Sequence, residues 1–190
     1  LELELTVIKA ALTNLNELPP EASLSLNASP ECIMSEHLSD LLLTADPERL
    51  VLELTEHAEV ADYGELSQHL SRYKKQGIKI AVDDAGAGYS SLSHIVQIRP
   101  DIIKLDMSLT RNIDTDQVRR SLASALIHFA GEIGAAITAE GIETLPEMNT
   151  LHDLGASFGQ GYFFSKPLPL KDARVFGPSG EQLNGNASNG

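Results

Sequence analysis

The segment from Ile80 to Leu92, which reads IAVDDAGAGYSSL, carries the strongest structural signal in the sequence. A short apolar run ends in two adjacent aspartates, Asp83 and Asp84, and is typical of a buried strand that carries charge at its C-terminal end. Neighbouring strand residues point to opposite faces, so the two carboxylates can share a metal ion only if the strand bends there. Gly86 permits such a bend. A turn in which the aspartates merely cap a helix is the alternative.

Strand-like and helix-like segments alternate along the rest of the chain. Helices are predicted near residues 1–15, 34–45, 60–76, 89–97, 115–132 and from Thr144 to Gly155. The pairs Asp114 with Gln117 and Thr144 with Glu147 are predicted capping boxes. Strands are predicted near residues 23, 50, 79, 102, 135 and 157. This alternation favours right-handed crossovers and a mainly parallel sheet, as in an α/β barrel or an open α/β sheet.

A polar residue closes every one of the six predicted strands. In parallel α/β folds the functional groups collect at the C-terminal strand ends, so we expect these side chains to share one site. They are Asn27, Glu53, Asp83 with Asp84, Lys104, Glu140 and Gln160. Taken singly, Asn27 is also compatible with a turn, Glu53 with a solvated strand residue, and Lys104 with a side chain that reaches solvent from a strand end.

The chemistry of this set favours a pair of hard cations. Oxygen ligands without a cysteine or histidine cluster indicate Mg²⁺ or Mn²⁺ rather than Zn²⁺. One ion is expected between Asn27, Glu53 and Asp83, and a second between Asp83, Asp84 and Glu140. Two such ions suit phosphodiester hydrolysis. Lys104 would then orient the attacking hydroxide, and Glu140 is a weaker candidate for a proton acceptor.

Composition narrows the function classes. A net charge of −13 argues against a nucleic-acid polymer and against an anionic membrane surface as partner. The single cysteine, Cys32, excludes a disulfide framework and fits a reducing cytoplasm. No apolar run has membrane-spanning length, so direct membrane insertion is not expected. The length of 190 residues predicts one domain, here residues 1–175, followed by a disordered Gly/Asn/Ser-rich tail at 176–190.

Six motifs in order resemble those of the EAL domain family of bacterial phosphodiesterases, which open cyclic di-GMP to linear pGpG. They are SLNASP, LELTE, IAVDDAGAGYSSL, DIIKLD, AEGIET and GQGYFFSKP, and they span Leu1 to about Pro167. The resemblance implies a modified TIM barrel, dependence on Mg²⁺ or Mn²⁺, and frequent dimerisation. It also implies control by an upstream sensory or GGDEF-type domain.

The resemblance assigns roles residue by residue. The positions that match family metal ligands are Asn27, Glu53, Asp83, Asp84 and Glu140, and the position that matches the contact to the attacking water is Lys104. Gln160 matches an active-site glutamine, Glu143 the second acidic residue of the AEGIE motif, and Pro167 a position near the base. Glu56 matches a glutamate that steadies the loop after the paired aspartates.

The chain also departs from the family pattern. The Glu-Ala-Leu motif, whose glutamate is a metal ligand, is absent, and Glu2 and Glu4 are poor substitutes on the expected exposed side of the first helix. Six strands instead of eight are expected, so we interpret the chain as part of a longer protein and expect it to be weakly active or inactive as printed. Ala85 and Ala87 replace the usual phenylalanine and threonine of the aspartate loop.

Three functions are therefore compared: a cyclic di-GMP phosphodiesterase, a receptor that binds the dinucleotide without hydrolysis, and a barrel used only for dimerisation. Tyr162, Phe163 and Phe164 are predicted core residues, with packing near guanine as the alternative.

Overall fold

The structure is a computed structural model that describes residues 1–54, 60, 62–86, 95–169, 175–176 and 182–183. Six parallel strands form its centre. Strands that are consecutive in the chain are neighbours in the sheet. The strands are β1 (Leu24–Ala28), β2 (Leu50–Leu54), β3 (Lys79–Ala85), β4 (Ile102–Leu105), β5 (Ala136–Ala139) and β6 (Phe158–Gly159). All six strand predictions are confirmed.

Helices connect these strands. They are α1 (Glu2–Thr13), α2 (Pro30–Ile33), α3 (Glu36–Leu42), α4 (Tyr63–Gln76), α5 (Met107–Thr110), α6 (Gln117–Glu132) and α7 (Leu145–Leu154). Residues 95–98 are also helical, whereas the rest of the helix predicted at 89–97 lies outside the described residues. Short 3-10 turns occupy Leu15–Glu17 and Pro47–Arg49, and Val175–Phe176 pairs antiparallel with Gln182–Leu183.

The strand order distinguishes between the two parallel architectures. A doubly wound sheet reverses its strand order at a switch point, whereas a barrel keeps neighbours in chain order. Here the order follows the chain from β1 to β6 without reversal. The fold is therefore an α/β arrangement with the strand succession of a (β/α) barrel. Every residue of β2 is buried, as expected for a parallel strand covered on both faces.

Local signals set several helix ends. Asp62 accepts hydrogen bonds from the backbone of Gly64 and Glu65 to begin α4, and Gly77 ends this helix with a φ of 102°. Thr144 and Glu147 form the predicted capping box of α7, and Gly155 ends that helix with a φ of 99°.

Helix α6 differs from its prediction in two respects. Its N-cap is Asp116, which accepts from Val118 and Arg119, so the capping box predicted at Asp114 was wrong. Its predicted buried face was also wrong in part, because Val118 and Leu122 are 77% and 46% exposed. The buried face consists of Ala123, Leu126, Ile127 and Ala130. The helix carries two apolar stripes, and periodicity alone does not reveal which one meets the sheet.

Two further expectations need correction. Glu4 is not on an exposed face, because it accepts hydrogen bonds from the backbone N–H of Ser29 at 2.8 Å and from the Ser29 hydroxyl at 3.1 Å. Tyr162, Phe163 and Phe164 are not core residues, because their exposed fractions are 62%, 38% and 45%. They follow β6, an edge strand of the six-stranded sheet, where no further strand of the described chain covers them.

The domain boundary predicted at residue 175 and the disorder predicted for 176–190 stay predictions, since most of that segment lies outside the described residues.

Candidate active site

Lys104 is the centre of a cluster of charged side chains at the C-terminal ends of the strands. Its ammonium nitrogen lies 3.0 Å from Glu53 Oε2, 3.1 Å from Asp83 Oδ1 and 2.8 Å from Glu140 Oε1. These four residues come from the neighbouring strands β2, β3 and β4 and from the position after β5. Three carboxylates therefore converge on one point, as the positions of the strand ends predicted.

Burial makes this cluster unusual. Lys104 and Glu53 are each 7% exposed. Carboxylates and ammonium groups are seldom buried unless they are paired, because removal from water disfavours the charged form. Neither the solvated interpretation of Glu53 nor the solvent-reaching interpretation of Lys104 fits this environment. Both side chains are held inside the site by their partners.

The backbone bends between the paired aspartates, as metal sharing requires. Asp84 has a φ of 56°, which is rare for a residue other than glycine, and its N–H donates to Asp83 Oδ1 at 3.0 Å. The register between β3 and β4 shifts between Val82 and Ala85. This bulge turns both aspartates toward the same side, and one oxygen each from Asp83, Asp84 and Glu140 lies within 4.8 Å of the others.

The pKa values follow from this crowding. Burial alone would lower the pKa of Lys104, but hydrogen bonds to Glu140 and Glu53 outweigh it and raise the pKa above its ordinary value. Burial raises the pKa of Glu140, and the nearby charges of Asp83 and Glu53 add to this effect against the opposing bond from Lys104. The site thus has an ammonium group that stays protonated at neutral pH and an excess of carboxylates.

This donor set fits a divalent cation. Asp83, Asp84 and Glu140 could hold one ion with oxygen atoms alone, which is the ligand type preferred by Mg²⁺, Mn²⁺ and Ca²⁺. Asn27 lies in register with Glu53 on the adjacent strand, so the backbone brings it to the same edge of the sheet. Its side chain is exposed, and together with Glu53 it could contribute to a second ion.

A cleft of about 400 Å³ opens beside this cluster. Its walls include Asp84, Glu140, Gln160, Glu143 and Tyr162, so Gln160 and Glu143 line the same cleft as Asp84 and Glu140. Glu143 forms an ion pair with Arg111, which lines the same cleft. Pro167 is exposed in the segment after β6, and Glu56 lies outside the described residues.

Like Arg111, Thr110 and Glu147 contribute to the site although the sequence predicted no role for them in it. Thr110 is fully buried, and its hydroxyl donates to the backbone carbonyl of Glu140. Glu147 was predicted only as half of a capping box, but its carboxylate also accepts from the backbone of Asn112 at 2.7 Å. The capping motif predicted a role for Glu147 from residues close to it in the chain. No sequence pattern predicted its contact with Asn112, which lies 35 positions earlier.

A sequence model of the EAL domain family matches residues 1–167. The chain belongs to the EAL domain family. Its curated relatives include the probable cyclic di-GMP phosphodiesterases PdeB and PdeD of Escherichia coli K12. PdeB is 33% identical over 159 residues, which are 80% of this chain and 30% of the relative. PdeD is 32% identical over 142 residues, which are 74% of this chain and 26% of the relative. The chain therefore spans less than a third of the length of these relatives.

Solved EAL structures share this fold. A standalone EAL protein from Vibrio cholerae with bound c-di-GMP is 29% identical, with a TM-score of 0.79 over 88% of this chain and 74% of that one. Klebsiella pneumoniae BlrP1 in a manganese and cy-diGMP complex is also 29% identical, with a TM-score of 0.79 over 87% and 44% of the two chains. These EAL domains confirm the TIM-barrel-like fold expected for this chain. Among the described helices, none combines the length and apolarity needed to cross a bilayer.

Proposed function

We propose that the protein containing this EAL domain hydrolyses cyclic di-GMP to linear pGpG with the help of two Mg²⁺ or Mn²⁺ ions. The observation that carries the proposal is the convergence of Glu53, Asp83 and Glu140 on the buried ammonium group of Lys104. A site of this kind has both the carboxylates that bind cations and a fixed positive charge beside them. The curated relatives named as cyclic di-GMP phosphodiesterases support the choice of substrate.

The proposed metal ligands are Asn27, Glu53, Asp83, Asp84 and Glu140. Bound divalent ions would lower the pKa of a water molecule and screen the phosphate charge. The cations would also offset the negative charge of the clustered carboxylates, which otherwise repels an anionic dinucleotide. Gln160, Glu143 and Pro167 are proposed to contact the substrate from the cleft and its rim.

Lys104 is proposed to orient the attacking oxygen. Its protonated form is favoured by Glu140 and Glu53, so it presents hydrogen-bond donors and positive charge where negative charge grows on the phosphate. Glu140 is proposed mainly as a ligand, because a carboxylate that binds a cation is a weak base. We further propose a cytoplasmic location, a homodimer, and regulation by an upstream domain, with Glu56 steadying the loop after Asp84.

The test is release of pGpG by the full-length protein. We expect cyclic di-GMP to be converted to pGpG in the presence of Mn²⁺ or Mg²⁺, and conversion to stop when EDTA removes the metal. Product would be separated by liquid chromatography and identified by mass. Binding of cyclic di-GMP without release of pGpG would replace this proposal with a receptor function, and failure to bind either metal or nucleotide would favour a dimerisation module.

A further inference from the structure

Glu147 has more hydrogen-bond partners than a helix cap requires. Glu147 is 3% exposed, and its carboxylate accepts three backbone N–H groups: Asn112 on Oε1 at 2.7 Å, and Glu143 and Thr144 on Oε2 at 2.9 and 3.0 Å. The bonds from Glu143 and Thr144 are local to the start of α7. The bond from Asn112 joins α7 to the segment after α5, which follows a different strand.

The partners of this carboxylate lie in or next to two chain segments that line the cleft, 106–111 and 140–143. Asn112 directly follows Arg111, and Glu143 is the residue with which Arg111 forms its ion pair. The same two segments are joined again where Thr110 donates to the carbonyl of Glu140. Glu147 thus holds, through the backbone, the two segments that the Arg111–Glu143 pair holds through side chains.

The electrostatics are consistent with an acceptor that is ionised at neutral pH. Burial would raise the pKa of Glu147, but the bonds from Asn112, Glu143 and Thr144 outweigh it and lower the pKa below its ordinary value. An ionised carboxylate is an acceptor at both oxygens, so it can bind all three donors at once. A neutral amide of the same shape cannot, since one of its two terminal atoms is a donor.

We propose that Glu147 is a positioning residue that fixes the segment carrying Glu140 against the segment carrying Arg111, and thereby sets the geometry of the metal site. It touches neither substrate nor metal and acts through Glu140. The inference rests on the proposed function, in which Glu140 is a metal ligand. Loss of an interaction that orients a ligand costs 10- to 100-fold in metal affinity in other proteins.

The test is the Mn²⁺ affinity of the substrate-free, full-length protein, measured by isothermal titration calorimetry. In Glu147→Gln, one terminal atom is an NH₂ donor. It would face either the backbone N–H of Asn112 or those of Glu143 and Thr144, and donor and donor cannot form a hydrogen bond. We expect the Mn²⁺ dissociation constant to rise by about tenfold or more. Glu147→Asp keeps the charge but is one methylene shorter, so it can cap α7 without reaching Asn112, and we expect a similar rise.

Thr144→Ala is the matched control. It removes the hydroxyl that accepts from the backbone of Glu147 at 3.4 Å, and so weakens the cap of the same helix while leaving the Asn112 bond in place. We expect its Mn²⁺ affinity to stay within about twofold of the wild type, although its melting temperature should fall. Melting curves of all three variants would show that each is folded at the temperature of the titration.

The outcomes separate the two proposals. If the wild type binds Mn²⁺ and the two Glu147 variants bind it as tightly as Thr144→Ala does, Glu147 is only a helix cap and the inference is overturned. Wild-type Mn²⁺ affinity in Glu147→Asp would also overturn it, even if Glu147→Gln binds more weakly. A carboxylate that does not reach Asn112 would then be sufficient. If the wild type itself binds no Mn²⁺, the proposed function fails first, and the positioning role fails with it.

Discussion

At the scale of single residues, Lys104 has a position that a metal ion would also favour, close to several carboxylate oxygens. Its partners Glu53, Asp83 and Glu140 would repel one another if the ammonium group were removed. In the proposed function, a bound cation and Lys104 would therefore both neutralise these carboxylates. Lys104 would act on the attacking oxygen, whereas the carboxylates would bind the metal, and substitutions should separate these two roles.

Lys104→Met should slow hydrolysis strongly without abolishing metal binding. The methionine keeps much of the side-chain volume but has no charge to orient the attacking oxygen, so we expect pGpG release to fall by about 10²- to 10³-fold. Mn²⁺ should bind at least as tightly as in the wild type, because the three carboxylates lose their internal counterion. Parallel Mn²⁺ titrations and rate measurements at saturating metal would check this. Loss of metal binding together with activity would contradict the assignment of Lys104.

Asp83→Asn should show the opposite pattern. The substitution keeps the shape of the side chain but removes the charge of a proposed ligand, so we expect Mn²⁺ affinity to fall by at least about tenfold. Asp101→Asn is a suitable control, because Asp101 precedes β4 at the other end of the sheet and pairs with Lys74 at 3.1 Å. Its Mn²⁺ affinity should match that of the wild type. Equal losses in the two variants would mean that Asp83 is not a ligand.

At the scale of elements, the end of β3 is the local structure on which the site most depends. The strand must bulge so that Asp83 and Asp84 face the same side, and Gly86 completes this turn with a φ of 105°. A Cβ atom at Gly86 would lie 2.2 Å from Cδ1 of Leu109, which is a buried residue of α5. Glycine is therefore needed here for both its backbone freedom and its small size.

Gly86→Ala should destabilise the protein more than Gly134→Ala. Both glycines have positive φ, but a Cβ at Gly134 would have no neighbour within 4 Å. We expect Gly134→Ala to cost about 1 kcal/mol in the free energy of unfolding from backbone strain alone. Gly86→Ala should cost about 1–3 kcal/mol more, because Leu109 must move. Urea unfolding of both variants measures the difference, and equal losses would show that the bulge tolerates a side chain.

At the scale of the whole molecule, the parallel sheet gathers residues that are far apart in the chain. All six strands run in one direction, so every C-terminal end lies at one edge, and Glu53 and Glu140 both reach Lys104 there. The same topology brings the segments after β4 and β5 side by side, where Glu147 joins them. Glu147 thus lies beside the candidate site, and the stability of the molecule depends on its ionisation.

The stabilising effect of Glu147 should depend on pH. Its pKa in the folded protein is lowered from an ordinary value of 4.5, so it contributes stability above about pH 4.5 that is lost as pH falls through the folded pKa. The difference in unfolding free energy between wild type and Glu147→Gln should have its full value at pH 7 and a smaller value at pH 3.5. Urea titrations at both pH values measure it. For Gly134→Ala, the difference in unfolding free energy from the wild type should be the same at both pH values. If the difference for Glu147→Gln were equally large at pH 3.5, Glu147 would not be ionised in the folded protein at pH 7.

Much of the fold could be predicted from local patterns. The six strands, the capping box at Thr144 and the helix ends at Gly77 and Gly155 depend on residues within a few positions of one another. The candidate site followed from one more general rule, that parallel strands expose their C-terminal ends together. Glu53, Asp83 and Glu140 could thus be grouped with Lys104 before any contact was seen.

Other features were decided only when the elements packed together. The stripe of α6 that meets the sheet, the exposure of Tyr162 and the partner of Glu4 each depend on which surface lies opposite. A helix with two apolar stripes can bury either one, and the sheet selects between them.

Local sequence patterns were sufficient to locate the six strands and the polar residues that end them, because these properties depend on near neighbours in the chain. The three bonds of Lys104 to carboxylates and the bond of Glu147 to Asn112 follow only from the packing of the folded chain. Such contacts join residues tens of positions apart, and their distances depend on how the sheet, its bulge and its connecting helices pack together.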